Sequence, residues 1–505
     1  MPPVCCVKLC SLILPGEGNS ILRTLKHLLL ALAYSLLGST VVVVGAYVYM
    51  QENRPDLKVW HRASLDAEFH AGLADEISDI DAYLQLEERL FEQLDRQVYA
   101  KIDAADRRQI NRYTSGSLTD PGSFPQNWNR TFVLSHDEPG AGAVLLHGLS
   151  DSPYSLRALG ELLHEQQFEV IGLRLPGHGT APAGLDDVSW HDFAAAVRIA
   201  MTSMRTRLGP DRPLYLVGYS NGAALAVEYS LAILEGEDAP PADGLVLLSP
   251  AIEAPGVAAY AIWQARFSRL SGLEKLGWTD IQPEFDPYKY NSFTVNAGDQ
   301  IYQLTQQIAR RMQRLSGPNG VAGFPRTLAF QSVVDATIKP STLVDALFMK
   351  LAPGGHELVL FDVNRNTDAE PLLRTDPEIL TDSLLGETRL PFTLTLVTNE
   401  LLDSDRVIAQ TKPEGAISAT EEDIKLAWSG RLFSLSHVAI PFPPDDPVYG
   451  SAPQAGSDER HIALGSIFIR GERNLLQIPD NYFLRLRYNP FFAYLSARVL
   501  LFLNL

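Results

Sequence analysis

Hydrophobic and polar positions change pattern several times along the 505-residue chain. From Leu28 to Met50 no residue is charged, and a Leu/Ala-rich stretch runs into Val41-Val42-Val43-Val44, then Tyr47 and Tyr49. As a helix this stretch rises about 34 Å, enough to cross the hydrocarbon of a bilayer with some tilt. From about Ser64 to Arg112, Leu65, Phe69, Leu73, Ile77, Ile80 and Leu84 recur at steps of three and four, as do Leu90, Leu94 and Val98 further on, with Asp and Glu between them. That spacing predicts acidic amphipathic helix, either a stalk or a helix laid against a domain. Gly, Ser, Pro and Asn then crowd Asn111 to Asn129, where a boundary is expected.

Beyond it the pattern becomes β-α-β. Thr131–Leu134 and Ala143–Leu146 read as strands around the turn Glu138-Pro139-Gly140-Ala141-Gly142. Ser155 to Gln167 reads as helix, Glu169 to Leu173 as strand and Trp190 to Leu208 as helix. Leu214 to Val217 is a strand that runs straight into another helix, and Gly244 to Leu248 is the next strand. Short apolar strands alternating with amphipathic helices predict an α/β fold, a mostly parallel sheet covered on both faces. Between Ile252 and Phe324 the pattern lapses into aromatic-rich, mainly helical sequence (Tyr260, Trp263, Phe267, Trp278, Phe285, Tyr288, Tyr290). This block, about 252–325, is expected to be a cap inserted over one end of the sheet. Strand character resumes at Thr327–Val334 and Leu358–Val363, and a polar stretch of about 364–429 reads as a second insertion. Phe491 to Leu503 contains Arg498, is too short to span a bilayer, and reads as the last core helix. No internal repeat is seen.

Composition narrows the possibilities. Hydrophobic residues make up 46% and charged residues 20%, as in an ordinary globular protein. A formal net charge of −18 excludes nucleic acid as the main partner, because phosphate binding needs a basic surface. It also gives no hold on anionic lipid, so any membrane attachment is hydrophobic. The 28–50 stretch is longer than the apolar core of a signal peptide, about 7–15 residues, and no small-residue cleavage site follows it. We therefore expect an uncleaved single-pass transmembrane anchor rather than a signal peptide or a buried core helix. Lys8, Arg23 and Lys26 precede it against Glu17, whereas Glu52, Arg54, Asp56, Lys58 and Arg62 follow. The positive-inside rule then puts residues 1–27 in the cytoplasm and the bulk of the chain outside it, in the periplasm of a Gram-negative cell. Residues 51–125 are expected to be an acidic helical stalk and linker, and 126–505 the main domain. Cys5, Cys6 and Cys10 all precede the span, so the domain uses neither disulfides nor a thiol nucleophile. Cys5 and Cys6 are candidates for acylation beside the membrane, unmodified thiols being the simpler reading.

The informative run is Leu214-Tyr-Leu-Val-Gly218-Tyr219-Ser220-Asn221-Gly222-Ala-Ala-Leu-Ala. A strand ends in Gly-x-Ser-x-Gly and a small-residue helix follows at once. A serine on such a sharp turn exposes its hydroxyl, and the flanking glycines let neighbouring backbone approach. The amide of Asn221 points where an acyl oxyanion would form, and the helix N-terminus adds favourable potential there. At the end of the earlier strand, Val144-Leu-Leu-His147-Gly148-Leu149-Ser150 supplies a turning loop, and Leu149 N–H is the candidate second oxyanion donor. No metal-ligand cluster or phosphate loop is apparent, so the chemistry is expected to need neither cofactor nor metal.

These segments resemble the α/β-hydrolase superfamily, in its monoacylglycerol lipase, lysophospholipase and serine aminopeptidase-like branch. The residues that carry the likeness are His147-Gly148 with Asp151-Ser152-Pro153, Leu173-Arg174-Leu175-Pro176-Gly177-His178-Gly179, Gly218-Tyr219-Ser220-Asn221-Gly222 and Leu247-Leu248-Ser249-Pro250. They cover residues 130–255 closely and 325–440 loosely; residues 1–125 have no counterpart. The resemblance implies an α/β-hydrolase fold for 126–505 and the chain order serine, acid, histidine. Ser220 is then the nucleophile, and His147, which precedes it, braces its loop. The acid should follow the first strand after the cap, where Asp335 ends Thr327-Leu-Ala-Phe-Gln-Ser-Val-Val; Glu400, Asp403 and Asp405 are rivals. For the base, His356 and His461 each sit before a strand, at the wrong edge. His437 opens a rigid loop, Val438-Ala-Ile-Pro-Phe-Pro-Pro-Asp445-Asp446-Pro447, just past a strand. The interval from Asp335 to His437 is longer than this branch needs, the excess lying around Asn364 to Ser429.

The implied activity is hydrolysis of carboxylic esters through a Ser220-His437-Asp335 triad and an acyl-enzyme. An aromatic cap and an anchor point to a lipid-like or other hydrophobic ester as the small-molecule partner, with the membrane as the second partner. The alternatives are an acyltransferase and a serine aminopeptidase on the same triad, the latter holding a free amine through Glu274, Asp280, Glu284 and Asp286. A non-catalytic membrane scaffold is the third, since fold does not fix function.

Overall fold

The computed structural model describes residues 17–253, 273–363, 372–401, 404–428, 433–451, 462–466, 469–470 and 484–504. Cys5, Cys6, Cys10, Tyr260, Trp263, Phe267, Asp403 and His461 lie outside the described residues. The chain divides into two compact units, Met1–Pro55 and Asp56–Leu505.

Among the described residues the first unit holds one long helix, α1 (Glu17–Glu52). Its segment Arg23–Met50 is long and apolar enough to cross a membrane. Leu32, Tyr34, Leu36 and Val42 are each at least 69% exposed. A continuous apolar surface of this kind is unfavourable in water.

The second unit is built on a ten-stranded sheet. Its strands are β1 (Phe132–Leu134), β2 (Ala141–Leu146), β3 (Phe168–Leu173), β4 (Leu214–Tyr219) and β5 (Gly244–Leu248). They continue as β6 (Arg326–Ser332), β7 (Glu357–Asp362), β8 (Thr393–Asn399), β9 (Arg406–Lys412) and β10 (Thr420–Ala427). The order is β1-β3-β2-β4-β5-β6-β7-β8-β9-β10, parallel from β3 through β8 and antiparallel at both margins. The central strands are buried throughout, as the uninterrupted apolar runs require when helices cover both faces. Among the described residues its longer helices are α2 (Ile80–Gln97), α3 (Arg157–Glu165), α4 (Trp190–Leu208), α5 (Asn221–Leu234), α6 (Val295–Leu315), α7 (Pro340–Ala346), α8 (Glu378–Gly386) and α9 (Phe492–Phe502). One core layer joins α4, α5 and α6 to the sheet; the other joins α3 and α9 to its opposite face. As expected, Phe492, Leu495, Val499 and Phe502 make α9 a core helix.

Three expectations change. The helix expected over 64–112 is confined to α2, with short 3-10 turns at Ala71–Leu73, Tyr99–Lys101 and Asp106–Arg108. Asp79 starts α2 afresh by accepting from Ala82 N–H at 2.8 Å. Nor does the segment stand off as a stalk. Phe69, Ile80, Tyr83 and Leu86 enter the same core as α4. Ala71 N–H donates to Asp192 at 2.6 Å and Ile80 N–H to Ser203 Oγ at 2.8 Å, so backbone groups freed from helix are satisfied by α4 side chains. The compact unit therefore begins at Asp56, not after residue 125.

The C-terminal half of the expected cap, α6, belongs to the helical layer on the sheet. Ala297, Leu304, Ile308 and Met312 join its core, and Arg311 pairs with the buried Glu228 of α5 at 3.3 Å. The described part that packs over the loops is Leu273–Thr294. The second insertion is not a polar excursion either, because it adds β8, β9 and β10 to the sheet. Leu394, Leu396 and Val397 bury β8 as an inner strand, while β10 is an exposed, charged margin.

The segment preceding the sheet is also held by charge. Arg174, at the end of β3, has a side chain only 1% exposed. Its Nε donates to Glu87 at 2.8 Å, and its Nη1 and Nη2 donate to Glu68 at 3.1 and 2.9 Å. Glu87 is further satisfied by Thr131 N–H at 3.0 Å and Thr131 Oγ1 at 2.6 Å. Two carboxylates from the N-terminal segment thus grip one buried guanidinium of the sheet domain.

Candidate active site

Strand β4 ends at Tyr219 and α5 starts at Asn221, so Ser220 alone makes the turn, with φ 54° and ψ −112°. A non-glycine residue held there is strained and persists only where its surroundings over-determine it. Three backbone bonds do so: Ser220 N–H donates to Leu248 O at 2.9 Å, and Ser220 O accepts from Ala224 N–H at 3.1 Å and Ala251 N–H at 3.2 Å. The two glycines are sterically required. A Cβ on Gly222 would lie 2.0 Å from Leu146 O, and one on Gly218 would lie 2.4 Å from Ala223 Cα.

Close approach at Gly222 brings two loops together. Leu146 ends β2, so the loop carrying His147, Gly148 and Leu149 lies against the first turn of α5. Asn221 N–H, as the first in the helix, has no intrahelical acceptor, and Leu149 follows on the adjoining loop. His147 is fully buried and accepts Leu175 N–H on Nε2 at 3.0 Å. Its proton is therefore on Nδ1, which donates to Gly148 O at 2.8 Å. Burial holds this imidazole well below its usual pKa, so it is a neutral brace between two loops. His178 stacks edge-on at 4.9 Å and is lowered to about 4, again mainly by burial.

The parallel sheet puts the C-terminal ends of β4, β5 and β6 on one edge. Ser249 N–H donates to Phe330 O at 2.8 Å, extending that edge toward β6 and its following loop. There Asp335 is 3% exposed. Its Oδ1 accepts from Thr337 N–H and Ile338 N–H, both at 2.9 Å, and its Oδ2 from Gln331 Nε2 at 2.8 Å. His437 Nδ1 stands 3.4 Å from Asp335 Oδ1, its side chain 12% exposed. The candidate acid and base therefore meet although β7 to β10 separate them in the chain. Of the rival acids, Glu400 is 3.4 Å from Arg406 at the β8–β9 turn. His356 precedes β7, at the opposite edge of the sheet, and its Nε2 side lies by Gly354.

The loop after His437 is pinned by contacts the sequence did not reveal. Asp446 accepts from Tyr154 Oη at 2.8 Å and from Val448 and Tyr449 N–H at 2.9 and 2.8 Å. Tyr449 Oη donates to Asp286 at 2.6 Å, and Tyr154 stacks on Tyr288 at 4.0 Å between ring centroids. Tyr290 N–H donates to Ser150 O at 2.8 Å, tying Leu273–Thr294 to the loop that carries Leu149. Glu284 is fully buried, accepts Asn291 and Ser292 N–H at 3.0 and 2.8 Å, and is raised to about 7 by burial. Gln331 was also missed. Its mark in the sequence is a polar side chain directly after the apolar run Leu328-Ala329-Phe330 of its strand. Among the described residues no three His, Cys, Asp or Glu side chains converge as a metal would require.

Residues 143–373 match the alpha/beta hydrolase family. Ser220 and Asp335 fall inside that match and His437 beyond it. A thermostable monoacylglycerol lipase of Bacillus sp. (strain H-257) is 24% identical over 233 residues, covering 45% of this chain and 85% of the relative. Among solved structures, the monoacylglycerol lipase of Paleococcus ferrophilus is 19% identical with a TM-score of 0.34, over 46% of this chain and 88% of its own. A soluble variant of monoglyceride lipase from Saccharomyces cerevisiae, in complex with a substrate analog, is 16% identical with a TM-score of 0.35, over 46% and 81%.

Proposed function

We propose, from the α/β-hydrolase fold of the sheet domain, that the chain is a membrane-anchored serine hydrolase that cleaves carboxylic esters of hydrophobic, lipid-like acyl groups through Ser220, His437 and Asp335. The observation that carries this reading is the approach of His437 Nδ1 to within 3.4 Å of an Asp335 carboxylate that three hydrogen bonds already hold in place. A carboxylate so fixed accepts Nδ1–H and leaves Nε2 free to take the Ser220 proton; such bonds commonly tighten when substrate binds. Ser220 Oγ then attacks the ester carbon. The oxyanion is met by Leu149 and Asn221 N–H, His437 returns the proton to the leaving alcohol, and water, deprotonated in turn by His437, releases the acid.

The similarity to a monoacylglycerol lipase supports a lipid ester. The aminopeptidase alternative needs free carboxylates for an amine. Glu284 and Asp286 are instead engaged with backbone N–H groups, and Asp286 also with Tyr449 and Arg487. An acyltransferase would use the same groups with an alcohol in place of water and is separated by product analysis. The apolar segment Arg23–Met50 supports anchoring, with residues 1–27 in the cytoplasm and the catalytic domain outside it.

The test is labelling of the full-length protein by a fluorophosphonate, followed by a panel of acyl esters of graded length. Ser220→Ala should abolish labelling, and His437→Ala should slow it by about 10³-fold or more, as expected when a general base is lost. Persistent labelling of Ser220→Ala would sink the assignment. Turnover of none of the esters by a labelled wild type would redirect the substrate class.

A further inference from the structure

A second carboxylate lies beside this site and is not used by the reaction derived above. Asp151 directly follows the loop that carries Leu149, and its N–H donates to Gly148 O at 3.2 Å. Its carboxylate folds back on the same loop, so that a Cβ on Gly148 would lie 2.5 Å from Asp151 Oδ2. The side chain is only 7% exposed, and Lys289 Nζ, from the segment above the loops, stands 3.1 Å from its Oδ1. Two further bonds seat that segment. Tyr290 N–H reaches Ser150 O at 2.8 Å, and Tyr290 Oη donates to Gly177 O at 3.2 Å.

We propose that Lys289 is a positioning residue of the hydrolytic site: it neutralises the Asp151 carboxylate beside the oxyanion loop and His437, so the site is electrostatically complete only with the 286–292 segment seated. The proposal rests on Ser220 and His437 as nucleophile and base. Its physical reason is simple. An uncompensated negative charge beside the loop opposes a developing oxyanion and holds a proton on a nearby imidazole, both effects being strong where water is excluded.

The charges that face Asp151 are Lys289 and His437, which favour its ionised form, and Asp286, which opposes it; burial is the largest influence and raises its pKa. Tyr449 also feels the Asp151 charge. Asp286 is offset by Arg487 at 3.5 Å, and Asp446, on the loop of His437, by Arg157 at 3.4 Å. Asp335 faces His437 from the other side. Lys289 is therefore the cation that decides the net charge at Asp151.

The experiment measures the second-order rate of fluorophosphonate labelling against pH for full-length protein in detergent, with wild type, Lys289→Met, Asp151→Asn and the double variant. Lys289→Met should move the acid limb up by about 0.5–1 unit, the scale a neighbouring unit charge confers at an effective dielectric near 20, and lower the plateau about tenfold. Asp151→Asn, which leaves the lysine charge unopposed, should move the limb down. The double variant should return it to within about 0.3 unit of wild type, and Lys289→Arg should keep it in place. Limb shifts in the same direction for both single variants, or no shift in either, would overturn the proposal, because loss of packing alone has no sign. If Ser220→Ala still labels, the nucleophile reading fails. If labelling depends on Ser220 but the limb ignores the pair, only this proposal fails. Where one single variant does not fold, the sign of the limb shift in the other still decides.

Discussion

Replacing Arg174 by Met tests whether the segment from Asp56 onward is part of the folded domain or an appendage to it. The guanidinium is buried and donates to Glu68 and Glu87 at 2.8–3.1 Å, and its Nη1 also reaches His178 O at 3.0 Å. Methionine fills much of the volume of the arginine stem but leaves two buried carboxylates facing one another. Breaking a buried ion cluster from one side costs about 3–5 kcal/mol. A unit of about 450 residues, Asp56–Leu505, unfolds with an entropy near 0.9 kcal/mol/K at the midpoint, so the melting temperature should fall by about 3–5 °C. Differential scanning fluorimetry on full-length protein measures this directly. Adding Glu68→Gln and Glu87→Gln removes the stranded charges while keeping acceptors for Phe69 N–H and the Thr131 groups. That triple variant should regain at least half of the loss. An Arg174→Met protein melting within 1 °C of wild type would refute the reasoning. So would a triple variant that melts lower still, since the cost would then lie in packing and not in charge.

Three further outcomes are expected. Gln331→Leu removes the donor on Asp335 Oδ2; labelling by fluorophosphonate should slow by about tenfold, the worth of one hydrogen bond to a charged group, and its acid limb should move up as Asp335 grows more basic, whereas an unchanged profile would exclude a positioning role. Glu284, raised from 4.5 to about 7, keeps its proton in the folded chain where the unfolded chain has lost it. Stability is then full below about pH 4.5 and declines by about 3 kcal/mol as pH rises to 7; melting curves of Glu284→Gln should lose that decline, and a difference from wild type that is constant with pH would count against it. Cys5, Cys6 and Cys10 are the only cysteines and all precede the apolar segment, so a membrane-impermeant maleimide should label intact cells only after permeabilisation; equal labelling before and after would reverse the orientation.

What was readable in the sequence followed from how local the constraint was. Trp190–Leu208 and Gly244–Leu248 were read with the bounds observed, because each is a self-contained apolar pattern. The turn at Ser220 was readable because its two glycines sit at a fixed local spacing around the serine, although only Gly218 answers to nearby backbone at Ala223 and Gly222 answers to Leu146 on another strand. The 64–112 region kept a helical spacing although most of it is not helix. Its apolar residues answer to α4, and a partly buried non-helical chain can space them just as a helix would. Strand β10 was hidden for the opposite reason: Thr420-Glu421-Glu422-Asp423 lies at an exposed margin, where no apolar alternation is needed. Gln331 with Asp335 and Lys289 with Asp151 could not be read, since each is a polar contact made by tertiary geometry. His437 is legible from its place on a proline-rich loop, and the structure sets it beside Asp335 past the three added strands β8, β9 and β10.

Those intervening strands bear on how the chain becomes active during synthesis. A ribosome that has released everything up to β8 has already produced the seven parallel strands and both Ser220 and Asp335, yet no His437. The proposed base arrives last, on a loop whose Asp446 must find Tyr154 across 292 residues of sequence. Contacts that distant form slowly. On the proposed triad, a nascent chain is chemically silent toward esters until its C-terminal third has emerged and closed back on its first half.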